Sequence, residues 1–258
     1  GMVTGALNMT PEMIQAADEA GLWNVSVSID GIGKTHDMQR GRKGSFDAAI
    51  AAAKRFAASD INLSVNTQIN RLTAAQLPEV AALLVELGAT AWQVQLTVPM
   101  GNAADRPELL LQPYDLLELF PLLVSIKHTI LDPNGIHLAP ANNIGYFGPY
   151  ESELRTVNGE ASFWTGCPAG EFVLGLESDG RLKGCPSLDT SVFAGGKITE
   201  KPLDELMQEP AVRQLVGRTV EDLWGYCKSC YYNDMCLGGC SWTAQSVMGR
   251  AGNNPYCF

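Results

Sequence analysis

An α/β chain with a parallel sheet, followed by a small cysteine-rich module, is predicted by three features of this 258-residue sequence. Helix and strand patterns alternate from Thr10 to about Thr97, that periodicity fades after Gly166, and every cysteine lies beyond that point. A βαβαβ order gives parallel strands joined by right-handed crossovers.

The elements follow in order. Pro11 to Ala20 reads as a helix, with Thr10 as N-cap, proline at its first position and Gly21 as its stop. Trp23 to Asp30 alternates small or polar residues with Val and Ile, as a strand does. Ser45 caps an alanine-rich helix, Phe46 to Ala58, and Ile61 to Ile69 is a second strand. Ala75 to Leu87 is a helix ended by Gly88, and Ala91 to Val98 a third strand. Met2 to Leu7 reads as the end of a fourth, so the sheet is either open or part of a barrel, with too few strands to close one.

A long helix is predicted over Pro113 to Leu131, and Pro140 to Gly159, rich in Gly, Asn and Tyr, reads as loop. The boundary is placed there: residues 2–140 form the first domain, 141–165 a linker and 166–258 the cysteine-rich domain. In the latter, Phe172 to Glu177 and Arg181 to Gly184 flank Ser178-Asp179-Gly180, the turn of a β-hairpin. Pro202 to Gly217 has short helical character, and the remainder reads as loop.

Composition narrows the function. The formal net charge of −10 argues against nucleic acid as a partner. No stretch approaches the ~20 consecutive apolar residues of a membrane span, and no basic-then-apolar secretory signal opens the chain, so the expectation is a cytoplasmic protein with no membrane partner. In a reducing compartment seven cysteines are not disulfides, and an odd number cannot all pair within one chain. Metal ligation is the leading account.

The pattern is Cys167-x12-Gly180-x4-Cys185, then Cys227-x2-Cys230-x5-Cys236-x3-Cys240, then x16-Cys257. A Cys-x2-Cys pair lets two thiolates converge on one metal or cluster edge. Seven thiolates exceed one tetrahedral ion, so two sites are needed. A zinc ribbon or treble-clef pair is one reading, although four cysteines on zinc leave three over. Iron–sulfur ligation is the other, because a four-iron cluster tolerates a fourth ligand from elsewhere.

In every interval this spacing resembles the signature of SPASM domains, the auxiliary-cluster modules of radical S-adenosylmethionine (SAM) enzymes. The resemblance implies two auxiliary [4Fe-4S] clusters, one bound by Cys167, Cys185 and Cys240 and the other by Cys227, Cys230, Cys236 and Cys257, with zinc an alternative occupant in aerobic preparations. Anaerobic sulfatase-maturating relatives add a cysteine shortly after the first, where this chain reads Pro168-Ala169-Gly170-Glu171-Phe172-Val173. That leaves the first cluster with an open iron for solvent, peptide or substrate. The same relatives place an aspartate after the second motif cysteine, where this chain has Pro186, and their particular chemistry is not implied.

The N-terminal half resembles the later strands of the radical SAM barrel, so the implied fold is a partial, TIM-like radical SAM barrel of parallel strands followed by a SPASM domain. Met2 to Met13 resembles the end of the third barrel strand, Val25 to Gly31 the fourth-strand Ser-x-Asp-Gly, and His36-Asp37-x-x-Arg40-Gly41 a family loop. By that resemblance Ser28 and Asp30 lie near the SAM ribose and Arg40 near its carboxylate, a task suited to a guanidinium. Gln68 and Val98 face SAM as well. The plainer alternative makes Asp30-Gly31 a strand-ending turn and Arg40 a solvated charge.

The family's Cys-x3-Cys-x2-Cys, which holds the catalytic cluster, has no counterpart in this sequence, since no cysteine precedes Cys167. The expectation is a chain that does not cleave SAM by itself: a fragment, a truncated gene product or a degenerate relative, with truncation favoured by the abrupt start within a strand. The full-length enzyme is expected to modify a peptide or protein substrate, as the resemblance to maturases of ribosomal peptides implies. The alternative class is a non-catalytic cysteine-rich protein that binds zinc or clusters for structure, substrate binding or electron transfer.

Overall fold

A computed structural model of the chain describes residues 1–157 and 159–257; Asn158 and Phe258, the last residue of the predicted module, lie outside the described residues. The chain divides at Phe163 and Trp164 into two units.

The first unit is built on β1 (Met2–Thr4), α1 (Pro11–Glu19), β2 (Asn24–Ser28), α2 (Lys34–Arg40), α3 (Ser45–Ala57), β3 (Asn62–Ile69), α4 (Leu77–Leu87), β4 (Ala91–Leu96), α5 (Leu116–Ile126), β5 (His137–Pro140) and α6 (Glu151–Arg155). Its five strands lie side by side in chain order, all parallel. Register partners Val25, Leu63 and Val27, Val65, Trp92 share one face, and all are buried. Val80, Leu84, Phe56 and Ala52, buried on α4 and α3, belong to the same core. Its burial stabilises the unit by about 25 cal/mol per Å² of apolar area.

The opposite face is polar. Ser26, Ser64, Asn66, Gln93 and Ala139 line a groove of about 460 Å³ over it, together with Val3 and Trp23 at its edge. Parallel sheets are usually apolar on both faces because helices cover both. Here the polar face is stitched by its own side chains: the Asn24 amide donates to Ser64 Oγ at 3.2 Å, and that hydroxyl donates to the Val25 carbonyl at 3.1 Å.

Several local details depart from the sequence reading. Ser45 is not the N-cap but the first residue of α3; Asp37 takes the capping role, accepting from Gly44 and Phe46 N–H at 2.7 and 2.8 Å and from Ser45 Oγ at 2.9 Å. The segment read as a loop, His36 to Arg40, is helix α2, stopped by Gly41 in the left-handed conformation. The strand β5 lies in a stretch where none was expected, pairing Ala91 to Val94 with His137 to Pro140. Beyond it, buried Asn143 continues the pairing with side-chain atoms, its Oδ1 accepting from Leu96 N–H at 3.1 Å and its Nδ2 donating to the Leu96 carbonyl at 2.8 Å.

The long helix predicted over Pro113 to Leu131 is present but uneven. It begins with a 3₁₀ turn, carries Pro121 inside α5 and continues as a π turn over Lys127–Leu131. By length and composition alone, Pro107–Asn134 is long and apolar enough to cross a membrane. Glu118, Lys127 and Asp132 interrupt it, and Leu116, Phe120, Leu123 and Leu131 are buried in the core of the unit.

The second unit holds a three-stranded antiparallel sheet, β6 (Gly175–Leu176), β7 (Arg181–Lys183) and β8 (Ala194–Lys197). The hairpin turns at Gly180, whose φ of +85° is a conformation that favours glycine and explains its place in the cysteine motif. Around the sheet are α7 (Thr190–Phe193), α8 (Leu203–Leu206), α9 (Pro210–Arg213), α10 (Gly225–Lys228), α11 (Asn233–Cys236) and α12 (Ser241–Met248). The strand β8 and helix α12 lie where the sequence suggested loop.

Candidate functional site

Two groups of chemically capable side chains emerge. The first lies at the carboxyl edge of the parallel sheet, where open α/β sheets bind ligands. Ser28 ends β2 opposite Asn66 and is buried. Asp30, two residues on and 1% exposed, accepts at Oδ1 from the Gln68 N–H at 2.8 Å and meets Arg40 Nε at 2.6 Å through Oδ2. Burial pushes the Asp30 carboxyl above its ordinary value; Arg40 and the Gln68 N–H pull it back only in part. Arg40, expected at a ligand carboxylate, is therefore engaged with Asp30 in this structure.

The Gln68 side chain accepts from Thr97 Oγ1 at 3.5 Å. That hydroxyl also accepts from Asn70 Nδ2 at 3.2 Å, and the same amide donates to Gln39 Oε1 at 2.9 Å. Gln39, Asn70 and Thr97 were not anticipated, and only their position at strand ends and beside Arg40 signals them. Val98 is buried just beyond β4. Gly31 follows Asp30 because a Cβ there would crowd Thr35 and the Gln76 amide, which accepts from Ile32 N–H at 2.9 Å.

His36 is a structural part of this edge. Its Nδ1 accepts from the Asp30 N–H at 3.1 Å, which places the ring proton on Nε2, and its ring meets Phe46 edge-on at 5.8 Å. Burial, with Arg40 adding to it, lowers its pKa to about 4 from the usual 6.5. Between those values the unfolded chain binds a proton that the folded chain refuses, so this contribution is present above 6.5 and is lost as pH falls towards 4. The expected result is a urea midpoint that drops between pH 7 and pH 5 in the native chain and drops less in His36→Gln. Equal drops would show that His36 is not the group responsible.

The second group is the cysteines, none of which is in a disulfide. The sulfurs of Cys185 and Cys240 each lie within electrostatic reach of Cys167. Cys236 lies within reach of Cys257, Cys227 and Cys230. Burial pushes the Cys236 thiol up to about 12 and raises Cys185, Cys227 and Cys240 as well, with neighbouring cysteines adding to the rise. Opposing this, N–H groups converge on the sulfurs: Asn254 N–H meets Cys227 and Tyr232 N–H meets Cys230, each at 3.4 Å. Gly239 does the same for Cys236, Ser187 and Leu188 for Cys185, and Trp242 and Thr243 for Cys240.

Crowded thiols ringed by donors are poor thiolates alone and good ones beside a multivalent cation. Among the described residues, no three His, Cys, Asp or Glu side chains converge tightly enough to hold a single ion. Seven thiols lying in two neighbourhoods and met by N–H donors are a donor set that fits iron–sulfur clusters. Trp164 is buried beside this group, its Nε1 donating to the Cys236 carbonyl at 3.1 Å, while Tyr226 and Tyr231 are exposed.

No family model matches the chain. Curated proteins do. The AdoMet-dependent heme synthase of Methanosarcina barkeri is 27% identical over 267 residues, covering 100% of this chain and 73% of that protein. The mycofactocin maturase MftC of Mycobacterium ulcerans is 28% identical over 243 residues, covering 92% and 61%. Among solved structures, native anSMEcpe with bound AdoMet superposes with a TM-score of 0.75 at 18% identity, over 98% of this chain and 68% of that one, and its complex with the Cp18Cys peptide with 0.69. The fold is thus that of radical SAM/SPASM structures, a five-stranded parallel sheet followed by a small antiparallel sheet and C-terminal cysteines. Over nearly its full length, the chain is similar to these AdoMet-dependent proteins and maturases.

Proposed function

We propose that these residues form the SAM-facing later strands and the auxiliary-cluster module of an enzyme that modifies a peptide or protein in the cytoplasm. The observation that carries this reading is the sorting of seven thiols into a group around Cys167 and a group around Cys236, each met by N–H donors. Cys167, Cys185 and Cys240 would hold one [4Fe-4S] cluster, and Cys227, Cys230, Cys236 and Cys257 a second. When bound, such clusters supply one-electron transfer and, at an open iron, a place for a ligand. Ser28, Asp30, Arg40, Gln68 and Val98 would line the SAM side of the sheet edge. SAM cleavage needs a further three-cysteine site that these 258 residues do not include.

A peptide substrate is supported by the maturase among the relatives and by the peptide-bound neighbour. The likeness to heme synthases supports a tetrapyrrole as a second reading. The groove over the polar sheet face favours the peptide: its lining is hydroxyl, amide and apolar, with no charged side chain, whereas carboxylate-bearing tetrapyrroles call for cationic partners.

The test is anaerobic reconstitution followed by iron and sulfide counts and an absorption spectrum. About eight irons per chain are expected, falling to about four in Cys236→Ser. Stoichiometric zinc with no visible charge-transfer band after anaerobic loading would overturn the reading.

A further inference from the structure

The second unit contains a cavity of about 560 Å³ whose wall includes Arg218, Asp222, Gln245 and Arg250. Arg218 is the anomaly. Its Nη2 donates to the Gly239 carbonyl at 3.3 Å, within the turn between Cys236 and Cys240. Its Nε and Nη1 are sealed from solvent and have no hydrogen-bond partner. A guanidinium stays charged in proteins, and buried donors are almost always paired.

The nearby candidates for a partner are engaged elsewhere. The Asp222 carboxylate lies within electrostatic reach of Arg218 but takes its hydrogen bonds from the Thr219 N–H at 2.7 Å and the Thr219 hydroxyl at 3.2 Å. Arg250 places its own charge over the Trp224 ring at 5.7 Å. Because the two unpartnered nitrogens are cut off from solvent, a free anion in the open cavity would not satisfy them. On the protein side, the Cys227 sulfur lies within electrostatic reach of Arg218.

Four thiolates around a four-iron core form an anion, and one more electron makes it more negative. We propose that Arg218 is a positioning and charge-compensating residue for the cluster of Cys227, Cys230, Cys236 and Cys257, donating Nε–H and Nη1–H to its sulfur atoms. This rests on the cluster reading above. A fixed positive charge beside the cluster favours its reduced state, so losing that charge lowers the reduction potential.

The experiment is an EPR-monitored redox titration of the anaerobically reconstituted full chain, its Arg218→Gln and Arg218→Lys variants, and Cys236→Ser to identify the signal of the cluster concerned. In Arg218→Gln the reduced-to-oxidised ratio of that cluster at fixed poise is expected to fall at least tenfold, 59 mV for a one-electron couple. Arg218→Lys should recover most of the difference, and the cluster on Cys167, Cys185 and Cys240 should titrate as before. Selective loss of about four irons in Arg218→Gln, restored in Arg218→Lys, would also support the charge role. An unchanged potential, an equal shift of both clusters, or failure of both variants to fold or load would overturn it. A native chain that takes up no iron would instead overturn the cluster reading itself.

Discussion

Stripping iron from the anaerobically loaded chain is expected to unfold residues 164–257 and leave the first unit folded. The second unit is poor in self-sufficient structure: its strands run from two to four residues, and apart from α12 its helices are four residues long. Isolated helices shorter than ~12 residues are marginal in water. The largest fully buried side chains, from Trp92 and Phe56 to Leu131 and Leu138, all belong to the first unit. The second buries Cys236 and Cys240 among its apolar residues, so its core is partly made of the proposed ligands. Metal binding in such modules is folding free energy, about 10 kcal/mol or more for structural zinc sites. Hydrogen exchange resolved by peptide should show protection in 164–257 collapsing to within about tenfold of unstructured rates, with β2, β3 and β4 unchanged. Protection that survives complete iron removal would show that the apolar core alone holds the unit.

The second large effect concerns the buried ion pair. Arg40→Ala leaves the Asp30 carboxylate, 1% exposed, without its counter-charge. Breaking a buried pair from one side costs about 3–5 kcal/mol, and this case belongs near the lower end because Arg40 itself is 32% exposed. Asp30→Asn keeps an acceptor for the Gln68 N–H and frees an arginine that water can reach, so its cost should be under about 1.5 kcal/mol. The double variant should be more stable than Arg40→Ala alone, and equal stability would refute the charge argument. The pH dependence has a definite sign. With its folded value raised above 3.8, Asp30's contribution is fully present below 3.8 and is lost as pH rises through the folded value. Removing Arg40 raises that value further, so the deficit of Arg40→Ala should be greatest at neutral pH and shrink on acidification. Arg40 also holds His36 down, and its loss acts in the same direction.

The alternation of Asn24 to Ser28 and Asn62 to Ile69 was legible because one face of each strand is apolar and one polar, with a period of two. The helices that cover the apolar face were legible by their caps and spacing. The strand β5 was not: it is short, ends in Pro140 and lies at a sheet edge, where pairing with β4 rather than propensity makes it a strand. Likewise β8 includes two glycines and owes its form to β7. At the candidate site, cysteine spacing was enough to raise the proposed ligand sets, because covalent spacing can be read without any knowledge of the fold. The partners of Asp30 did not show, since Gln68 and Arg40 reach it through backbone geometry and through a helix that sequence alone presented as a loop. Arg218 was equally silent, because an unsatisfied donor exists only in three dimensions.

The hydroxyl- and amide-lined face of the parallel sheet bears on how any ligand would settle over it. Ser26, Ser64, Asn66 and Gln93 offer hydrogen-bonding groups to solvent rather than an apolar surface. A molecule that displaces that solvent gains little from shape alone; it must return a hydrogen bond for each one it removes. Discrimination over this surface is therefore set by dehydration, which penalises greasy ligands and tolerates those that imitate water.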